Sequence, residues 1–195
     1  IFQYLGVHYV DLLFYVTGFH PKRVTAWGQK KYLYKLGIDT WDAMQVVIEW
    51  QNPKKTSSGR MVSTHITNWI DPDETSAISD QKINLVGTLG RFQADQKHRG
   101  IQMVLDTQGV KDINPYFASS CINTQTGEIN FHGYGIQSVL NFLQDVHSVK
   151  YKNANLEELI TTRPSFQSSL ISSAVIDAAH QSLLAQKSLP VEILL

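Results

Sequence analysis

In the run Leu5-Gly6-Val7-His8-Tyr9-Val10-Asp11-Leu12-Leu13, an imidazole opens a predicted helix behind a glycine, with a carboxylate three residues further on. Imidazole is the side chain best suited to proton exchange near neutral pH. A His at a helix start is held rigidly and can face a cleft. Residues three and four apart share a helix face, which groups His8, Asp11 and Leu12. Asp11 is therefore a candidate to fix the His8 tautomer and to meet a substrate. The ordinary role for Asp11 is to stabilise the helix amino terminus through the macrodipole, and for His8 a bond to a neighbouring backbone group.

Other residues could meet a polar ligand. Asn68 and Trp69 close a predicted strand just before Asp71-Pro72, and tryptophan can stack on the apolar face of a sugar; the competing place for Trp69 is the core. Lys97 and Arg99, flanking His98, could grip an anionic substrate, because a guanidinium binds a carboxylate bidentately. Their ordinary role is that of solvated loop charges. His132 and Tyr134 precede a helix and offer polar contacts to a cleft. The dispersed His20, His65, His147 and His180 have no metal-ligand spacing and read as surface or satisfied structural groups.

The elements that must hold these residues follow from periodicity and punctuation. Val7, Val10, Leu13, Phe14 and Val16, with Gly18 and Pro21 beyond, predict a helix over 6–16. Strands are predicted over 23–28, 41–50 and 60–70, with 30–40 an irregular edge and the last two strands forming a long hairpin. Shorter strands follow over 82–86 and 91–95, joined through Gly87-Thr88-Leu89-Gly90, and over 101–105 in an otherwise less regular stretch, 96–130. Helical periodicity returns over 135–146 and in the longest helix, 165–186, before an edge strand over 191–193. Strands in the middle with helices at both ends predict an α+β domain: a mostly antiparallel (mixed) open sheet with helices packed on one face.

The 195 residues are 43% hydrophobic, enough for one sizeable domain over 1–195. Seventeen basic and seventeen acidic side chains cancel, so no global charge draws nucleic acid or an anionic membrane. No apolar run approaches the roughly 20 residues that span a bilayer. The single Cys121 cannot form an internal disulfide; it suits a reducing cytoplasm and is expected to be a buried thiol. With no initiator Met or signal-peptide pattern before Ile1-Phe2, the sequence reads as part of a longer polypeptide.

Taken in order, Gly6-Val7-His8-Tyr9-Val10-Asp11, Gly87-Thr88-Leu89-Gly90, Asn114-Pro115-Tyr116-Phe117 and the terminal helix followed by Ser188-Leu189-Pro190-Val191 resemble the carboxy-terminal domain of the Gfo/Idh/MocA family of oxidoreductases. The resemblance spans nearly the whole chain. It implies the fold of glucose-fructose oxidoreductase-like enzymes and hydride transfer between NAD or NADP and a sugar or polyol. It also implies a homo-oligomer built through the open sheet face. Family members carry a Rossmann domain and a Glu-Lys-Pro motif upstream; this chain has neither, and no GxGxxG, so no dinucleotide is expected on it. As a fragment it is expected to be inactive. His8 matches the family's catalytic histidine. Where the family has an aspartate four residues earlier stands Tyr4, a candidate catalytic residue by resemblance to the tyrosine proton donors of some family members, with a packing role as the alternative. The alternative is a non-catalytic sugar-binding or assembly module that kept the domain without the chemistry.

Overall fold

Apolar and polar residues alternate through the first strands, and that alternation decides which face of the sheet is covered. The computed structural model describes residues 1–54, 59–74, 80–95, 100–113, 119–185 and 189–193. In chain order they form a π-helical turn (Phe2–Gly6), α1 (Val7–Thr17), β1 (His20–Gln29), α2 (Tyr32–Lys35), β2 (Ala43–Gln51) and β3 (Arg60–Asn68). Next come β4 (Lys82–Gly87), β5 (Gly90–Asp95), β6 (Gly100–Leu105), β7 (Gly109–Ile113), β8 (Ser119–Ile122) and β9 (Ile129–His132). The chain ends with α3 (Tyr134–Lys152), α4 (Leu156–Thr162), α5 (Phe166–Leu184) and β10 (Val191–Glu192). They group into two units, Ile1–Glu74 with Pro164–Leu195, and Thr75–Arg163.

In the first unit the sheet order is β10-β1-β2-β3, antiparallel throughout. Val24, Ala26, Met44, Val46, Ile48 and Trp50 alternate onto one face and are buried. α5 lies against β1 on that face and α1 packs on α5. Buried Ser172, Ala178, Ala179 and Ser182 let α5 come close. Ser182 then does a backbone's work: its Oγ accepts the Ala26 N–H (3.0 Å) and donates to the Leu189 carbonyl (2.6 Å), just where pairing with the two-residue β10 has ended. Trp27, Val62 and Ile66, on the other face, are exposed.

The first helix begins earlier than its apolar pattern implies. The π-helical turn runs without interruption into α1, so His8 lies within continuous helix instead of opening it. Gly6 sits in ordinary right-handed conformation, φ −61°, so the glycine is needed for space and not for backbone freedom. A Cβ there would stand 2.1 Å from Phe2 Cδ2, inside the buried ring.

The second unit carries two antiparallel sheets, β4-β5-β6-β7 and β8-β9, with α3 and α4. The α+β class with antiparallel open sheets and one-sided helices is the one expected, although the strands divide among three sheets. β7, β8, β9 and α4 lie where no element was expected, because short strands and a seven-residue helix leave too few repeats for periodicity to register. Cys121 is exposed, contrary to expectation: the two-stranded sheet β8-β9 leaves all its residues in solvent. The Asn114-Pro115-Tyr116-Phe117 motif and Ser188 lie outside the described residues. Among the described residues, no helix is long and apolar enough to cross a membrane.

Replacing Gly6 by Ala forces Phe2 out of its seat, and forced overpacking of this kind costs roughly 1–3 kcal/mol. Urea unfolding of Gly6→Ala will show that loss; full parental stability would contradict the packing described.

Candidate active site

The amino-terminal turn sends alternate side chains in opposite directions. Phe2 points inward, fully buried, and meets His65 of β3 edge to face with ring centroids 5.7 Å apart. Tyr4 points outward, 65% exposed, and its ring lies 5.8 Å from that of Trp69, tilted by 32°. His8 is exposed one turn further along, and Asp11 is exposed on the turn after that. Tyr4 and Trp69 thus meet on the solvent side, and His8 follows Tyr4 by one helical turn.

Trp69 is 45% exposed, not in the core. Its N–H donates to the Asp42 carbonyl (2.9 Å), which continues the β2–β3 ladder one step past its last pair, Ala43 with Asn68. The Asn68 side chain is exposed, but its Oδ1 already accepts the Ile70 N–H (3.1 Å) and shapes the turn. Asp11 and His8 make no hydrogen bond or ion pair with each other among the described residues. Lys97 and Arg99 lie outside those residues.

Beneath this surface runs a buried polar chain that inspection of the sequence did not find. Trp50 Nε1–H donates to Ser63 Oγ (2.8 Å), and Ser63 Oγ lies 3.0 Å from His65 Nε2. An indole can only donate, so the serine proton is free to bond Nε2 when the ring carries its own proton on Nδ1. Burial holds His65 neutral, with its pKa lowered to about 4. The signal was available: Met61, Ser63, His65 and Thr67 share one face of a strand whose partner, β2, is buried on that face.

Asp42 was missed as well. Although it is 3% exposed, its carboxylate is fully engaged: Oδ2 accepts the N–H groups of Lys31 and Tyr32 (both 2.7 Å) and Oδ1 that of Leu33 (2.8 Å). The Leu33 bond does most to lower the Asp42 pKa; desolvation opposes it, and the other two bonds add to it. The sequence clue was an Asp placed just before a β-branched strand and behind Gly37 and Thr40.

Among the described residues no group of three or more His, Cys, Asp or Glu side chains is placed to hold a metal ion. The second unit has an open trough of about 690 Å³ lined by Lys82, Asn84, Gln93, Asp95, Gln102 and Asp112 among others. It also holds His132, whose Nε2 lies 3.2 Å from Cys121 Sγ.

No family model matches the chain by sequence, and no curated protein does. Solved structures do share its fold. An oxidoreductase from Sinorhizobium meliloti superposes with TM-score 0.65 at 14% identity over 96% of this chain and 50% of its own. An oxidoreductase domain protein from Kribbella flavida gives 0.58 at 15%, over 98% and 50%. The transcriptional regulator Gal80p from Kluyveromyces lactis gives 0.57 at 12%, over 97% and 44%. The chain spans about half the length of these structures, and at such identities the likeness shows the fold.

Because the folded-state pKa of His65 is depressed, its contribution is fully present above the ordinary value of 6.5 and is lost as pH falls toward 4. The unfolded chain takes up the proton first, and the stability lost by pH 4.5 is roughly 2–3 kcal/mol. Urea unfolding at pH 7 and pH 4.5 will show His65→Phe with a smaller drop between the two conditions than the parent. An equal drop would mean that His65 is not the buried acid-labile group.

Proposed function

We propose that this chain is the substrate-binding and oligomerisation half of an NAD(P)-dependent oxidoreductase of the Gfo/Idh/MocA family acting on a sugar or polyol hydroxyl. One observation carries the reading: Tyr4 and His8 face solvent a turn apart, with Trp69 against Tyr4, on a fold shared with oxidoreductases. A tryptophan beside a phenol and an imidazole suits a ligand with apolar C–H faces and polar hydroxyl edges. His8 takes the hydroxyl proton at a ring nitrogen, or returns it in the reverse direction. Tyr4 Oη holds the same hydroxyl or its neighbour by a hydrogen bond, and Asp11 and Asn68 border the substrate. Lys97 and Arg99 are proposed for an acidic group of the substrate.

The sequence carries no GxGxxG, so in this reading the nicotinamide cofactor is held outside this chain. In the intact protein that cofactor would supply the hydride chemistry from the other half of the polypeptide. Exposed Trp27, Val62 and Ile66 on the open sheet face support a homo-oligomer covering that face. The single thiol accords with a cytoplasmic site.

The second reading is a non-catalytic sugar-binding or assembly module. Two observations favour it: Tyr4 stands where the family resemblance puts an acid, and the fold is shared with a transcriptional regulator.

Nicotinamide-dependent oxidation of sugars and polyols by the full-length protein separates the two. The enzyme reading predicts activity, and a fall in turnover of order 10² or more in His8→Ala, as for a lost general acid or base. Unchanged turnover in that variant removes the proton-transfer role, and no turnover by the parent on any alcohol favours the module.

A further inference from the structure

At the end of the sheet where Tyr4 and Trp69 meet, segment 30–41 connects β1 to β2. It carries no regular strand and only one turn of helix, α2, yet it is tied down at every level. Asp42 binds three consecutive amides, as described, and its own N–H donates to the Gln29 carbonyl (2.8 Å). Lys30 pairs with Asp39, and its Nζ lies 5.9 Å from the Tyr34 ring centroid and 5.7 Å from that of Trp41. Trp41 packs on Gly28 so closely that a Cβ there would come within 2.5 Å of its ring. Inside the segment, the Ile38 N–H returns to the Leu33 carbonyl (3.0 Å).

Such rigidity would be unremarkable in a segment that buried its side chains. Here Tyr32, Tyr34, Leu36 and Ile38 are each at least half exposed. The ordering entropy has been met in advance for a surface that no other described element covers. The same Asp42 that holds this segment through its carboxylate holds Trp69 through its carbonyl, and Trp69 packs on Tyr4.

We infer that segment 30–41 is a preordered wall of the candidate site, and that Asp42 is the positioning residue that locks this wall and Trp69 in register. This rests on the reading that Tyr4, His8 and Trp69 form a ligand site. The wall offers aromatic rings and phenol hydroxyls, the surface a polyhydroxylated ligand needs for stacking and hydrogen bonding. Asp42 touches neither ligand nor reacting atoms; its effect falls on binding and not on the chemical step.

The test uses Asp42→Asn, with Asp42→Ala as the harsher variant, in the full-length protein. Amide hydrogen exchange should accelerate tenfold or more at Lys31, Tyr32, Leu33 and Trp69 while Val46 and Ile48 stay protected. Titration with sorbitol and D-glucose as probe polyols should give a Kd at least fivefold weaker, and where a polyol is oxidised KM should rise with kcat within twofold. The inference is overturned by unchanged exchange at those four amides, by exchange raised equally across β2, or by probe polyols that bind parent and Asp42→Asn alike or bind neither. Absence of alcohol oxidation counts against the enzyme reading alone, because exchange and polyol binding do not depend on turnover. A fall in kcat at constant KM would place Asp42 in the chemistry and contradict a positioning role.

Discussion

The seating of Phe2 between Gly6 and His65 is the constraint on which the candidate site depends. A benzyl ring enters the core two residues before a phenol that must stay outside, and a π-helical turn achieves this without a break in the backbone. The ring fits because position 6 has no Cβ, and it rests on an imidazole kept neutral by burial. With Phe2 fixed, the helical path leaves Tyr4 against Trp69 and brings His8 out one turn later. The placement of these candidate residues is a consequence of core packing.

A second anchor, Asp42, works beside Trp69. Asp42 lies almost out of solvent yet satisfies three backbone donors on one side and, through its peptide group, joins β1 and β3 on the other. A buried carboxylate costs little when charge-assisted hydrogen bonds replace its hydration, and here they lower its pKa. The two anchors reach the site from different strands, Phe2 through His65 of β3 and Asp42 just before β2, and these strands pair in unbroken register.

Much of this was legible in the residues. β-Branched residues in 41–50 and alternation in 60–70 located β2 and β3 to within two residues, and the helix expected from 165 starts within one residue of α5. His8 and Trp69 stood out by side-chain chemistry, and the resemblance drew notice to Tyr4. The contact between Tyr4 and Trp69 was not legible, since it joins residues far apart in sequence through a π-helical turn that has no periodic signature. The roles of His65 and Asp42 were hidden for a related reason: each is defined by partners on another element. In the sequence Gly6 is no more than the residue behind which the helix opens, whereas the space its missing side chain leaves is what the fold uses. Fold and function also separate here, since oxidoreductases and a transcriptional regulator share this architecture.

The central claim is that core packing presents Tyr4, His8 and Trp69 as one ligand-facing surface. It is tested most directly by a crystal structure of the full-length protein with a nicotinamide dinucleotide and a bound polyol. The account predicts a ligand hydroxyl within hydrogen-bonding distance of a His8 ring nitrogen, with the ligand's carbon face against Trp69. A polyol seated instead in the open trough between Lys82 and Asp112, with His8 covered by protein and out of its reach, would contradict it.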